Sequence, residues 1–153
     1  MKLLSALILL LSLSTSATAQ TALDEQITLT RQAAQTDRKA ILLSNVSFND
    51  EESELFWPKW DEYRAAAEAN GDRLLALIKD YAENYNNMTN QKADELMSDH
   101  FSIEMQDVVI RQNFAKEISG FMPARKVMRI VQVENKLDAA IDLQLASEIP
   151  LAK

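Results

Sequence analysis

FWPKWDEYRAAAEANGDRLLALIKDYAENYNNM, residues 56–88, carries Phe56, Trp60, Tyr63, Ala67, Asn70, Leu74, Leu77, Tyr81 and Met88 at alternating spacings of four and three, with one closing gap of seven. Such a seam lines one face of a long helix over more than four heptads and needs another helix beside it. Pro58 predicts a kink, because it cannot donate to the carbonyl four residues back. Gly71, after Asn70, weakens the helix by about 1 kcal/mol relative to alanine.

The flanks of this stretch supply its boundaries. Upstream, Phe48 precedes Asn49, Asp50, Glu51 and Glu52: Asn49 is the expected N-cap, Glu52 sits at the capping-box position, and the acids lie where the helix dipole favours them. Downstream, Met88 and Thr89 repeat the pattern of an apolar residue before a capping side chain, so a second helix is predicted to about Ile118. Its broad apolar face comprises Leu96, Met97, Phe101, Met105, Val108, Phe114 and Ile118. Gly120 is expected to stop it. Pro123 is expected to open a further helix through Val127, Val131, Leu137, Ile141 and Leu145, ending at Ile149 and Pro150. Residues 20–45, with a thin stripe of Leu23, Ile27, Ala34 and Ile41, read as a weakly packed helix. The expected fold is therefore all-α: three strong helices and one weaker N-terminal helix, with short turns making antiparallel hairpins over residues 46–153.

Only two glycines and three prolines occur in 153 residues, which suits long helices joined by short turns. Lys2, an apolar run from Leu3 to Leu13 and the A-x-A ending at Ala19 predict a cleavable signal peptide over residues 1–19, and with it export to the periplasm. The run is too short for a membrane anchor, which needs about 20 apolar residues. A net charge of −7, one unit more negative without Lys2, disfavours nucleic acid as a partner. With no cysteine, neither a disulfide framework nor a thiolate metal site is available.

No sequence motif for catalysis or phosphate binding is present, and no enzyme, cofactor or resident metal is expected. His100 is the one histidine; alone among carboxylates it makes a poor metal site, although Asp99 and Glu104 stand near it. The five methionines after Met1 are expected in the core. Acid pairs such as Asp50 with Glu54 lie without an apolar pocket to shift their titration. Two features stand out. Arg125, Lys126 and Arg129 occupy the opening turns of the last helix with no acid between Phe121 and Val133. Cations there oppose the helix dipole, so they meet acids of another helix or face an anionic partner. Glu134 falls on the apolar stripe between Ile130 and Leu137 and needs a cation or hydroxyl, with Arg64, Arg129 or a tyrosine in reach.

FNDEESELFWPKWDEY (48–63), LIKDYAENYNNMTNQKADEL (77–96) and FMPARKVMRIVQVENKLDAAIDLQLASEIPL (121–151) together resemble a group of uncharacterised proteobacterial exported proteins, and more distantly the Spy/CpxP-like periplasmic proteins with their L-T-x-x-Q signatures. The first signature reads Phe48, Asn49, Asp50, Glu51, Glu52; the second reads Met88, Thr89, Asn90, Gln91, Lys92 and lacks the final Gln. Capping chemistry survives in both. The histidines of metal-sensing relatives are absent. The resemblance implies a curved homodimer of interlocked hairpins. It also implies a non-enzymatic stress protein that holds unfolded or envelope proteins without ATP, or that meets the ectodomain of an envelope-stress sensor. Trp57, Trp60, Arg125, Lys126 and Arg129 are the partner-binding candidates, since adhesive protein surfaces favour aromatics with arginine. Trp57 and Trp60 stand three apart and do not both point into one narrow seam, so one is a candidate for exposure. Asn49, Pro58, Thr89, Pro123 and Glu134 are the structural candidates. A small-molecule or metal-binding module around Pro58, His100 and Glu134, and a purely structural envelope dimer, are the alternatives.

Overall fold

A computed structural model describes residues 37–152, so the leader and the stripe positions Leu23, Ile27 and Ala34 lie outside the described residues. The described residues fall into two units, divided between Ile41 and Leu42. The described residues are helical over 37–45 (α1), Asp50–Asn84 (α2), Asn90–Ile118 (α3) and Ala124–Glu148 (α4), with no strand among them. The fold is all-α, as the periodicity predicts.

Both caps form as the sequence requires. Asn49 Oδ1 accepts the Glu52 amide at 2.8 Å while the Glu52 carboxylate accepts the Asn49 amide at 3.0 Å, a complete capping box. Thr89 Oγ1 accepts the Lys92 amide at 3.1 Å. Pro123 stands one residue earlier than expected: its carbonyl accepts the Lys126 and Val127 amides, so it fills the N-cap rather than the first helical position. Gly120 is not in the left-handed conformation, and α3 closes at Ser119, whose hydroxyl and amide both bond the Ala115 carbonyl. Helix α2 runs on through Pro58, an exposed residue that leaves the Glu54 carbonyl without its helical donor.

Side-chain pairs set the packing order. Lys59 meets Glu117, Tyr63 meets Phe114, Asn70 meets Ile103 and Asp107, and Lys92 meets Asp80, so α2 and α3 run antiparallel along their length. Arg111 donates to Asn135, placing α4 beside α3. Glu52 meets Lys126, Trp60 meets Glu134 and Tyr81 meets the Pro150 carbonyl, so α4 returns parallel to α2. Residues 42–152 thus make an up-down-up bundle.

The core gathers at the end that holds the α3–α4 turn. Leu42, Val46, Phe56, Trp60, Tyr63, Ile110, Phe114, Ile118, Met122, Val127 and Ile130 form one buried cluster, with the Tyr63 and Phe114 rings stacked at 4.4 Å. Each full burial contributes about 1.5–3 kcal/mol. Leu42 and Val46 belong to this cluster whereas Ile41 is exposed, so the apolar stripe of α1 runs one residue away from the one expected. Toward the α2–α3 turn, Leu74, Leu77, Tyr81 and Met88 are only half-buried and Ile141 is exposed.

Candidate functional site

Several residues singled out in the sequence serve the bundle itself. Trp60 is buried and donates its indole N–H to Glu134 Oε1 at 2.9 Å. Glu134, 1% exposed, also faces Arg64 at 3.6 Å, and the Arg64 guanidinium lies 5.4 Å from the Tyr63 ring centre. Of the partners expected for Glu134, Arg64 is present. The indole was not foreseen: Trp60 and Glu134 are 74 positions apart and no local spacing relates them. Trp57 is half-buried within a ring cluster of Phe48, Phe56 and Trp60, with centres 5.0–5.7 Å away.

The basic group divides. Lys126 Nζ lies 2.6 and 2.7 Å from the two oxygens of Glu52, tying the start of α4 to the capping box of α2. That ammonium, and then the Asn49 amide, hold the Glu52 carboxyl below its usual range. Arg129 is exposed and donates from Nε to the Asn45 carbonyl at 2.6 Å, bracing the end of α1. Arg125 is exposed on the first turn of α4. Acids of another helix therefore account for Lys126.

Pro58, His100 and Glu134 do not converge. Glu134 sits in the core opposite Trp60 and Arg64, whereas His100 is an exposed residue of α3, 3.4 Å from Glu104, two positions from the Ser102 that meets Arg73 much further along α2. Among the described residues, no group of three or more His, Cys, Asp or Glu side chains is arranged to hold a metal ion. An acidic strip does occur between α3 and α4. Partial desolvation, then Asp138 and Asp107, push the Asp142 carboxyl up, and Arg111 opposes them.

The surface that remains is the outer face of α3. The broad apolar face expected there separates into two. Leu96, Ile103, Ile110, Phe114 and Ile118 are buried. Met97, Phe101, Met105 and Val108 are 52, 55, 65 and 57% exposed, and Val109 stands exposed beside them. Asp94, Ser98, Phe101, Met105, Val108 and Gln112 are all exposed and follow one another at spacings of four, three, four, three and four. They form a second heptad seam with an apolar centre and polar ends. Met97, Met105 and Met128 are thus surface residues rather than core ones, while Met122 is buried. The signal was present in the sequence: the apolar arc of α3 is wider than one neighbouring helix covers.

Chemically, the seam offers desolvation and polarizable contact with no reactive group. Exposed methionine beside phenylalanine makes an adaptable binding surface. No family model, curated protein or solved structure matches the chain.

Proposed function

We propose that this chain is a non-enzymatic protein-binding protein of the bacterial periplasm, acting as an ATP-independent holdase or as an accessory to an envelope-stress sensor. The exposed seam of α3 carries this reading. Phe101, Met105 and Val108 on the seam, with Met97 beside it, are exposed apolar side chains of the kind an amphipathic or partly unfolded polypeptide seeks, and they lose water-exposed area when one binds. The leader-like residues 1–19 support the compartment. The likeness of residues 48–63, 77–96 and 121–151 to Spy/CpxP-like proteins supports the class. Trp57 and Arg125, at the other end of the bundle, add a half-buried aromatic and an exposed cation.

The test is aggregation of a denaturing client followed by light scattering. Suppression at near-stoichiometric ratio is expected from the wild-type chain, with loss of suppression in Phe101→Ser/Met105→Ser. Undiminished scattering at excess chain rejects the holdase form. The accessory form is then tested by pull-down with a sensor ectodomain, where failure to recover the complex rejects the reading as a whole.

A further inference from the structure

The exposed apolar row of α3 has two unlike borders. Ser102, Val109 and Lys116 stand seven apart along one, and Met97, Glu104 and Arg111 stand seven apart along the other. The second border faces α4, because Arg111 donates to Asn135. Glu104 lies three residues from Phe101 and four from Val108, so it neighbours both on the helix surface.

The charges around the row fall into three groups. Toward α4 lie Glu104, Asp107, Asp138 and Asp142, with the cation Arg111 3.8 Å from Asp107. These acids crowd one another: partial desolvation, then Asp138 and Asp107, hold the Asp142 carboxyl above its usual range, Glu104 adds to them and Arg111 opposes. Glu104 has His100 at 3.4 Å, and neither Glu104 nor Asp142 forms an ion pair with a lysine or arginine among the described residues. From Leu137 onward α4 contains no basic residue. At the N-terminal end of the row, Asp94, Glu95, Ser98 and Asp99 line an open depression together with Lys92, and that lysine is bound to Asp80 at 2.6 Å. Away from α4 the cations are Lys116 and Arg73, the latter donating to Asn70 and Ser102, while Glu117 lies 3.4 Å from Lys59. The row is thus acidic along the α4 border and at its N-terminal end.

An apolar row in heptad order with carboxylates along one edge is complementary to a helix that carries an apolar stripe edged by cations. From Asp94 to Gln112 the row runs about 27 Å, the length of about 18 helical residues.

We infer that the outer face of α3 takes a cationic amphipathic helix, with its apolar stripe on Phe101, Met105 and Val108 and its lysines or arginines along the α4 border, against Glu104 and Asp142. The inference rests on the protein-binding reading of this surface and names the chemistry of the client.

Three labelled peptides of about 18 residues test it by fluorescence anisotropy with the full chain. All share one leucine stripe, and the other positions are lysine, glutamine or glutamate. The lysine peptide is expected to bind about tenfold tighter than the glutamine one, as a few exposed ion pairs together supply, and the glutamate peptide weakest. Added salt should narrow the gap. Phe101→Ser/Met105→Ser should weaken binding of all three. Glu104→Gln/Asp142→Asn should remove most of the lysine preference. Glu51→Gln/Glu54→Gln, which takes the same charge from exposed positions at the start of α2, should leave it intact. Every substituted side chain is exposed, so the helical circular dichroism should not change.

Equal affinity for the lysine and glutamate peptides overturns the inference. So does a lysine preference that survives Glu104→Gln/Asp142→Asn, or that falls as far in Glu51→Gln/Glu54→Gln, the mark of net charge alone. If Phe101→Ser/Met105→Ser abolishes suppression of client aggregation but no lysine preference exists, the charge selection is wrong and the protein-binding reading stands. Peptide binding in the expected order by a chain that suppresses no aggregation keeps the inference and removes the holdase form of that reading.

Discussion

Glu134 sits almost without solvent in the core, matched by the Arg64 guanidinium at 3.6 Å and the Trp60 indole at 2.9 Å. Removing one member of a buried charge pair strands the other, which is why such losses exceed what the pair itself adds. Glu134→Gln is therefore expected to lower stability by about 3 kcal/mol in urea unfolding, and Trp60→Phe, which keeps most of the ring, by about 1 kcal/mol. A Glu134→Gln variant as stable as the wild type contradicts the role given to Arg64. Glu52, 9% exposed, is read through pH. Its carboxyl is held below the ordinary value of 4.5 by Lys126 and the Asn49 amide. A depressed acid adds stability above its unfolded value and loses it as pH falls through the folded one. The difference in urea midpoint between wild type and Glu52→Gln should hold steady from neutral pH to about 5 and shrink below the free value as the carboxyl takes up its proton. A difference independent of pH down to about 3 rules out the Lys126 link as its source.

The helices themselves were largely legible, because each obeys local rules. The 4-3 seam of α2, the Asn49 capping box and the Thr89 cap all depend on residues within a turn or two of one another, and all are found. Gly71 was legible as a weak point, and the structure sharpens it. A Cβ built there meets nothing within 4 Å, so Gly71→Ala is expected to raise stability by about 1 kcal/mol, seen as a higher thermal midpoint. A lower midpoint places the cause in packing that the open surface does not show. Asn70, on the apolar seam, donates to the Ile103 carbonyl at 2.9 Å and to Asp107 at 3.2 Å, which fixes the α2–α3 register as a lone polar seam residue can. The candidate site was less legible. Composition marks Met97, Phe101, Met105 and Val108 as apolar, but whether an apolar arc is covered depends on how many helices surround it. Lys126 and Arg129 were singled out for their charge, yet their partners Glu52 and Asn45 lie more than 70 positions away, beyond any periodicity.

At the level of the molecule, the proposed client capture depends on the outer face of α3. Burial is also uneven along the bundle, dense near the α3–α4 turn and thin near the α2–α3 turn. The parallel return of α4 along α2 has a mechanical consequence. A chain pulled between residue 46 and residue 152 is gripped at opposite ends of the long axis, so α2 and α4 are loaded in shear and not peeled. The Glu52–Lys126, Trp60–Glu134 and Tyr81–Pro150 fastenings then bear the load together instead of one after another.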